Sequence, residues 1–416
     1  MNRFLAGLVL TLGLAAGAAE QAESSPEESP TLTAEQAALL AAWDRYTDAL
    51  KSAGRTIIAQ DTGSPIDTAE GFRYLALLSG LAAERVQYYQ NPQYPTLNRT
   101  LDLYRKIGLD SSDNTYRTAS FEPGGSYVIR GIRGNSTYFG IQFNRDRASV
   151  ANLNDQQITF ADDGSFTIYL TPERRGENWV ELPPDANNLY VREIFIDWEN
   201  ELPSTMWMER LDIALPSPVL SPEVVEAHLG RMAVFVDENL QRWNRYVAGS
   251  RRGRLNQLPA PRATPGEGGS IDNIYSGGYF SLEDGEVLLI EFEAVPSRLW
   301  NAQLGNAWFQ SLDYQHRQTS LNNHQTAVDS DGKVRMVIAA EDPGVANWLD
   351  TAGRSEGIMF LRWNMPSRIP GTPVVKRLSL TELEEHLPAD TQRVNQEERL
   401  QQLESRYRAV ARRFAQ

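Results

Sequence analysis

The stretches DDGSFTIYLTPERRGENWVE (residues 162–181) and DSDGKVRMVIAAEDPGVANWLD (329–350) decide the fold, because they are two copies of one pattern. Asp163-Gly164 in the first answers Asp331-Gly332 in the second, and Asn178-Trp179 answers Asn347-Trp348. Each Asp-Gly marks a tight hairpin turn, since glycine takes positive φ without steric cost. SFTIYL and KVRMVIAA then carry the residue alternation of a strand. The likeness extends outward. GGSYVIRGI and DGEVLLIEF hold matching places upstream. Downstream, each copy has a strand ending in tryptophan, Trp198 or Trp363, and then a helix start, LSPEVVEAHL (220–229) or LSLTELEEHL (378–387). A repeated unit of hairpins with a closing helix follows. What both copies share reads first as architecture. The Asn-Trp pairs read as a buried ring with an amide tying a loop, and His228 and His386, at matching helix positions, as packing or surface residues.

Working outward gives a mostly β chain with flanking helices, of the α+β class. It has two similar antiparallel β-sandwich or jelly-roll-like units plus N-terminal and C-terminal helices. Residues 1–19 read as a signal peptide, with Arg3 as the positive end, Phe4 to Leu14 as the apolar run, and small residues up to Ala18 or Ala19. Residues 20–32 (EQAESSPEESPTL) read as a disordered spacer. An N-terminal helical arm follows over 33–66, opened by a Thr33–Gln36 capping box. Residues 67–248 hold a helix opened by Asp67 and Glu70, the first β unit, and a closing helix begun by Ser221-Pro222-Glu223. The basic, Pro- and Gly-rich 249–271 reads as a linker or mobile loop. The second β unit spans 272–388. Residues 389–416 form an amphipathic helix with Leu400, Leu403, Tyr407, Val410 and Phe414 on one face; packing on its own chain and homo-oligomerisation are both open readings.

Composition bounds the function. With 416 residues, 41% hydrophobic and 23% charged, the chain can build a sizeable core. It has no cysteine, which removes disulfides, thiolate metal sites and thiol nucleophiles. The net charge of −14 disfavours nucleic acid and anionic lipid as partners. No stretch is long and apolar enough for a membrane span. The leader places the mature protein in the periplasm or outside the cell. No Gly-x-Ser-x-Gly elbow, P-loop or Gly-x-Gly-x-x-Gly fingerprint is present, and no cofactor is expected.

The densest chemistry lies in WNAQLGNAWFQSLDYQHRQTSLNNH (300–324) and just beyond. Trp300, Trp308, Tyr314, Arg317, Asn322, Asp350 and Arg362 offer ring faces beside amide, carboxylate and guanidinium groups, as a small polar or ring-bearing ligand requires. The competing reading is a loop packed on the sandwich. Asp313, His316 and Asp342 are weak catalytic candidates, the two aspartates as a carboxylate pair. Asp313, His316 and His324 match no strong metal-ligand spacing, and no metal is assigned.

These residues resemble the bacterial family catalogued as domain of unknown function 1214. The resemblance rests on Trp308, Ser311 to Tyr314, Arg317 to Asn322, Asp331-Gly332, Asp342 to Gly344, Asn347 to Asp350 and Arg362-Trp363. It is specific across about 290–365 and extends more loosely over about 70–385, including KIGLDSSDNTY and REIFIDWE. Asn323-His324 departs from the family's pattern, which tends to have glycine after Leu-Asn. The resemblance implies β architecture and carries no activity. The leading expectation is an exported ligand-binding or accessory β-protein with its site in the second unit. A periplasmic hydrolase or lyase on a polar or glycan-like substrate, using Asp and His, is the alternative. An assembly protein working through its C-terminal helix is another.

Overall fold

The computed structural model describes residues 32–60, 64–89 and 91–415. The signal-peptide reading and all but the last residue of the spacer lie outside them. Helix α1 (Ala34–Ala59) starts at Thr33 with the expected capping box to Gln36. Helix α2 (Pro65–Ala83) starts earlier than Asp67: Ser64 is the cap, its hydroxyl accepting from Asp67 N at 3.3 Å. Pro65 fills the first helical position, where its fixed φ suits the helix and its missing N–H costs nothing. A π-helical turn (Glu84–Tyr89) ends this arm.

The first β unit contains β1 (Asn98–Leu101), β2 (Asn114–Ser120), β3 (Tyr127–Ile132), β4 (Tyr138–Arg145), β5 (Ala148–Asn154), β6 (Ser165–Leu170), β7 (Asn178–Val180), β8 (Asn188–Ile194) and β9 (Thr205–Arg210). Helix α3 (Pro222–Gly253) follows, capped by Ser221. The second contains β10 (Asn273–Ser281), β11 (Glu286–Glu293), β12 (Leu299–Gly305), β13 (Ser320–Asn322), β14 (Lys333–Ala339), β15 (Trp348–Asp350), β16 (Glu356–Asn364) and β17 (Val374–Ser379). Helices α4 (Leu380–His386) and α5 (Gln396–Phe414) close the chain.

Strand orders β2-β8-β4-β5 and β7-β6-β3-β9 in the first unit repeat as β10-β16-β12-β13 and β15-β14-β11-β17 in the second, with β1 an added edge. Within each unit every pairing is antiparallel except one, β6 with β7 and β14 with β15. That shared parallel pair is where the Asn-Trp motif acts. Asn178 accepts from Thr159 N (2.8 Å) and donates to Thr159 O (2.8 Å) and Thr167 O (3.2 Å). Asn347 does the same with Ala327 N (2.9 Å), Ala327 O (2.8 Å) and Arg335 O (2.9 Å). The indole N–H groups of Trp179 and Trp348 each donate at 3.0 Å, to Thr171 O and Ala339 O. The side-chain amide thus replaces ladder bonds that a short parallel edge strand lacks. His228 is half-buried and His386 exposed.

Each unit has its own core between its sheets, around Phe139, Ile141 and Phe166 in the first and Leu288, Leu304 and Met336 in the second. Helices α1, α2 and α3 form a third core, into which the second unit inserts Ala307 and Trp308. The segment read as a linker is fastened. Its first five residues belong to α3, and beyond them Arg262 and Tyr275 of β10 exchange two backbone bonds of 2.9 Å. A proline-rich stretch can do this because it lies on a sheet edge, where a missing N–H breaks no ladder.

The expected apolar face of α5 is also corrected. Leu400 and Tyr407 are exposed, while Arg399, Arg406, Ala409, Val410 and Arg413 are buried. The guanidinium of Arg413 sits 4.6 Å from the Trp198 ring and 4.8 Å from Phe195, and its Nη1 donates to Ser112 O at 2.7 Å. Long aliphatic stems with flat cationic ends pack well on aromatic faces, so arginine serves here as a core residue. Among the described residues no helix is long and apolar enough to cross a membrane.

Candidate ligand cleft between the two units

The residues singled out in the second unit do not gather around one cavity. Trp300 lies in that unit's core, 5.4 Å from the Phe292 ring. Trp308 is sealed in the helical layer, its indole N–H donating to Asp67 O at 2.7 Å. Tyr314 packs edge-on against Trp198 and under Lys106, whose Nζ is 4.6 Å from the ring. Asn322 is fully buried and donates to Asp113 Oδ1 at 2.7 Å. Arg317 pairs with Asp350 at 2.9 Å. Asp313 and His316 pair with each other at 3.0 Å on the surface, His324 lies 3.9 Å from Asp197, and Asp342 pairs with Arg399. His316 lies against Tyr407 of α5, eight residues along from Arg399. Each of the two aspartates is thus engaged by its own basic partner.

A structural demand explains why 300–324 is so polar. The segment KIGLDSSDNTY (106–116) of the first unit runs buried through the junction. Its groups need partners, and the second unit supplies them. Lys106 Nζ donates to Leu312 O at 2.8 Å and Ser311 O at 3.2 Å. Ser311 Oγ donates to Asp110 at 2.8 Å, Gln303 Nε2 to Asp110 O at 2.7 Å, and Asn301 Nδ2 to Asp113 at 2.6 Å. Burial pushes the Lys106 ammonium down from its ordinary pKa and the Asp110 carboxyl up. Buried polar groups must be paired, and the amide-rich stretch meets that requirement.

Arg362 is the one expected residue that also lines a large cavity. A cleft of about 1240 Å³ lies between the outer faces of the two units, under α3. One wall is the solvent-side face of β2, β8 and β4, where alternation presents Tyr116, Tyr190, Arg192 and Gln142. The opposite wall comes from β10 and β16, with Tyr275, Phe360 and Arg362. From α3, Phe235, Arg242 and Tyr246 project at helical spacing, with Trp243 beside them.

The two walls are related by the duplication. Tyr116 stands opposite Arg192 in the first unit as Tyr275 stands opposite Arg362 in the second. Gln142 stands opposite Tyr190 as Gln303 stands opposite Phe360. Even the side-chain bonds repeat: Arg192 donates to Gln142 Oε1, and Arg362 to Gln303 Oε1. The guanidinium carbon lies 5.4 Å from the Tyr190 ring in one copy and 4.8 Å from the Phe360 ring in the other. The copies differ in what closes them. Arg362 is buried and also donates to Leu109 O; Arg192 is half-buried, its further bond a weak one to Gly268 O at 3.4 Å.

The cleft is basic in an acidic chain. Among the described residues, eight arginines line it against three acids, Asp110, Asp146 and Glu238. Asp110 is held by Ser311, and Glu238 pairs with Arg147 at 3.2 Å. Arg85 donates to the Tyr190 hydroxyl at 3.1 Å and lies 5.6 Å from the Phe235 ring. Burial alone would raise the pKa of Tyr190, but Arg85, by charge and hydrogen bond, with Arg192 and Arg147, brings it below the ordinary tyrosine value. At the other end, Phe309 meets Trp243 at 4.9 Å, Tyr246 at 4.4 Å and Phe360 at 6.1 Å. Gly277 permits this crowding, since a Cβ there would fall 2.6 Å from the Phe360 ring and 2.8 Å from the Tyr246 hydroxyl. Phe309 (φ 57°) and Leu109 (φ 51°) both adopt left-handed backbone, joined by Leu109 N donating to Phe309 O at 2.6 Å. Such paired strain on non-glycine residues persists only where the surroundings enforce it.

Most of the cleft residues escaped the sequence reading. Tyr116, Tyr190 and Arg192 sit inside ordinary strand patterns, and Arg85 and Trp243 on helices. One signal was present: the basic run around Arg254 and Arg262 in a chain of net charge −14. Both of those arginines line the cleft.

Comparison with known proteins agrees with the fold. The family model described as "Protein of unknown function (DUF1214)" matches residues 133–194 and 283–368, one stretch in each β unit. The crystal structure of an uncharacterized protein from Burkholderia cenocepacia is 32% identical, with a TM-score of 0.78, covering 83% of this chain and 99% of that one. A Vibrio parahaemolyticus protein structure aligns at 14% identity and a TM-score of 0.43, covering 74% of this chain and 98% of that one. No curated protein matches. The family match in both units and the close relative across nearly its whole length establish that this chain belongs to the DUF1214 family.

Proposed function

We propose that the protein is an exported binder of small organic anions, held in the cleft between its two β units. The observation that carries this is the arginine-lined, ring-lined cavity of about 1240 Å³ in a chain of net charge −14. Such a charge reversal concentrates anions locally, and low-dielectric walls strengthen each guanidinium contact. Half-buried rings supply apolar contact area for the ligand's body. The leader-like sequence, with Arg3 and the apolar run Phe4 to Leu14, supports placement outside the inner membrane.

The test is thermal denaturation at low salt with benzoate, citrate and inorganic phosphate. Saturable stabilisation is expected for at least one, weakening as ionic strength rises. Arg85→Gln and Arg192→Gln should each weaken binding by about tenfold or more, the value of a charge-assisted hydrogen bond. The unliganded melting temperature should stay near that of the parent. Absence of saturable stabilisation by every anion would overturn the proposal.

A further inference from the structure

The two walls of the proposed anion cleft share a register but not a chemistry. In the second unit, two residues along from the Gln303–Phe360 pair, Gly305 stands opposite Ile358, which is fully buried in a cluster with Leu109 and Phe309. In the first unit the matching position holds Asn144 opposite Asn188. Their amides continue a chain that starts at Arg192. Arg192 donates to Gln142 Oε1, Gln142 Nε2 to Asn144 Oδ1 at 2.6 Å, and Asn144 Nδ2 to Asn188 Oδ1 at 3.0 Å. Among the described residues, Gln142 and Asn144 each spend one of two amide N–H groups in this way, and both residues line the cleft. The architecture does not require the Asn144–Asn188 pair, because the sibling copy closes the same position with apolar atoms.

A second asymmetry lies on the other side of Arg192. In the second unit Asn273 stands opposite Asn364, whose Nδ2 donates to Asn273 Oδ1 at 2.8 Å. The matching Asn114 stands opposite Ile194, and among the described residues its Oδ1 is a buried acceptor with no partner. Asn114 is 5% exposed and lines the cleft. A buried acceptor left unpaired is costly, so a ligand that donates to it gains a bond the fold leaves unmade. Arg192 stands between the two asymmetric positions. Ile194, opposite Asn114, and Tyr190, opposite Gln142, each lie two residues from it, about 7 Å along β8 at roughly 3.3 Å per residue. Its own bonds go to an amide and a carbonyl, both neutral, so its charge remains for an anion.

A hydroxyl both donates and accepts. Spare donors on one side of a cation and a spare acceptor on the other suit an acid that carries hydroxyls on its neighbouring carbons. We propose that the cleft takes an acidic sugar, its carboxylate or phosphate held by Arg192 and its hydroxyls by Gln142, Asn144 and Asn114. This inference rests on the anion-binding reading and goes further by naming the ligand class and the wall that recognises it. Carboxylate and phosphate share the chemistry that a guanidinium binds.

The experiment uses the full protein and matched probes: glucuronate against hexanoate, glucose 6-phosphate against hexyl phosphate, and uncharged glucose. Binding is followed by titration calorimetry, and stability by thermal denaturation. At least one acidic sugar should bind about tenfold or more tightly than its hydroxyl-free match and than glucose. Whichever of the two binds more tightly assigns the acid as carboxylate or phosphate. Asn114→Ala removes an unpaired acceptor, so its melting temperature should equal or exceed that of the parent. The same variant should weaken the acidic sugar by about tenfold and leave the hydroxyl-free acid unchanged, a split that a merely structural asparagine would not produce. Asn144→Ala tests the donor side in the same way, and Asn114→Ala keeps the comparison readable if that variant melts early. If the hydroxyl-free acids bind as tightly as the sugars, or Asn114→Ala leaves the preference intact, hydroxyl recognition is wrong while the anion cleft stands. If no anion binds at all, both fall together.

Discussion

At Tyr190 two effects of opposite sign meet in one phenol. Burial favours the neutral form, and the charge and hydrogen bond of Arg85, with Arg192 and Arg147, favour the phenolate. The second group of effects prevails, so Tyr190 should ionise below the ordinary value of 10.0. An ultraviolet titration of the parent minus Tyr190→Phe isolates this phenol and should show an early step. In Arg85→Gln that step should move up, because burial then faces weaker opposition. Linkage has a definite sign. An acid with a depressed folded value adds stability above its unfolded value, and that stability is lost as pH falls through the folded value. A difference titration with no step before the bulk of the tyrosines would contradict the field described for the cleft. The sequence could not disclose this. Tyr190 and Arg85 stand 105 residues apart, and nothing in YVREIFIDW marks the tyrosine. The roles of Asn178 and Asn347 were legible, by contrast, because duplication sets the same residue in the same local frame twice.

Helix α5 carries the same lesson at the scale of an element. The caps at Thr33 and Ser221 are local properties, and local chemistry can be read from neighbours along the chain; in α5 the sequence showed a helix over 389–416, whereas it starts at Gln396, capped by Asn395. Its inward face was not legible. A stripe of Leu400, Leu403, Tyr407, Val410 and Phe414 satisfies helical periodicity, yet the face that docks is built on Arg399, Arg406 and Arg413. These reach carbonyls and rings from both β units: Arg399 donates to Val345 O at 2.6 Å, Arg406 to Ser320 O at 2.8 Å and Arg413 to Ser112 O at 2.7 Å. Burial brings Arg406 and Arg413 down to about 10, with Asp113 partly opposing it. Burying the cation therefore carries a cost that its ring and hydrogen-bond contacts offset. Arg413→Ala should destabilise by about 2–4 kcal/mol in urea denaturation, through lost cation–π packing and an orphaned carbonyl. Arg413→Met keeps the stem's packing and removes the desolvation cost, so it should lose less. An alanine variant no less stable than the methionine variant would mean that the packing of the arginine stem contributes nothing.

Across the whole molecule, duplication supplies two outer sheet faces of the same design, and their meeting creates the cleft. The copying was legible, because turn residues, strand periods and the Asn-Trp pair recur in order. The assignment of the ligand site to the second copy was not supported, since a polar, ring-rich stretch has the same composition whether it serves a ligand or a buried neighbouring chain segment. Here Asn301, Gln303 and Ser311 serve the segment 106–116, and Arg362 is drawn into that service by its bond to Leu109 O. Arg192 holds the equivalent position in the first copy without that bond. Two arginines at one register position should therefore give opposite results on substitution. Arg362→Gln leaves Leu109 O without its charged donor inside the junction and should cost about 2–4 kcal/mol of stability. Arg192→Gln, in a half-buried setting with a weak second bond, should cost about 1 kcal/mol or less while reducing anion affinity by about tenfold. Measuring stability and affinity on both variants separates the roles. Equal destabilisation by the two, with no loss of affinity in Arg192→Gln, would show that both arginines are structural and that Arg192 does not hold the anion.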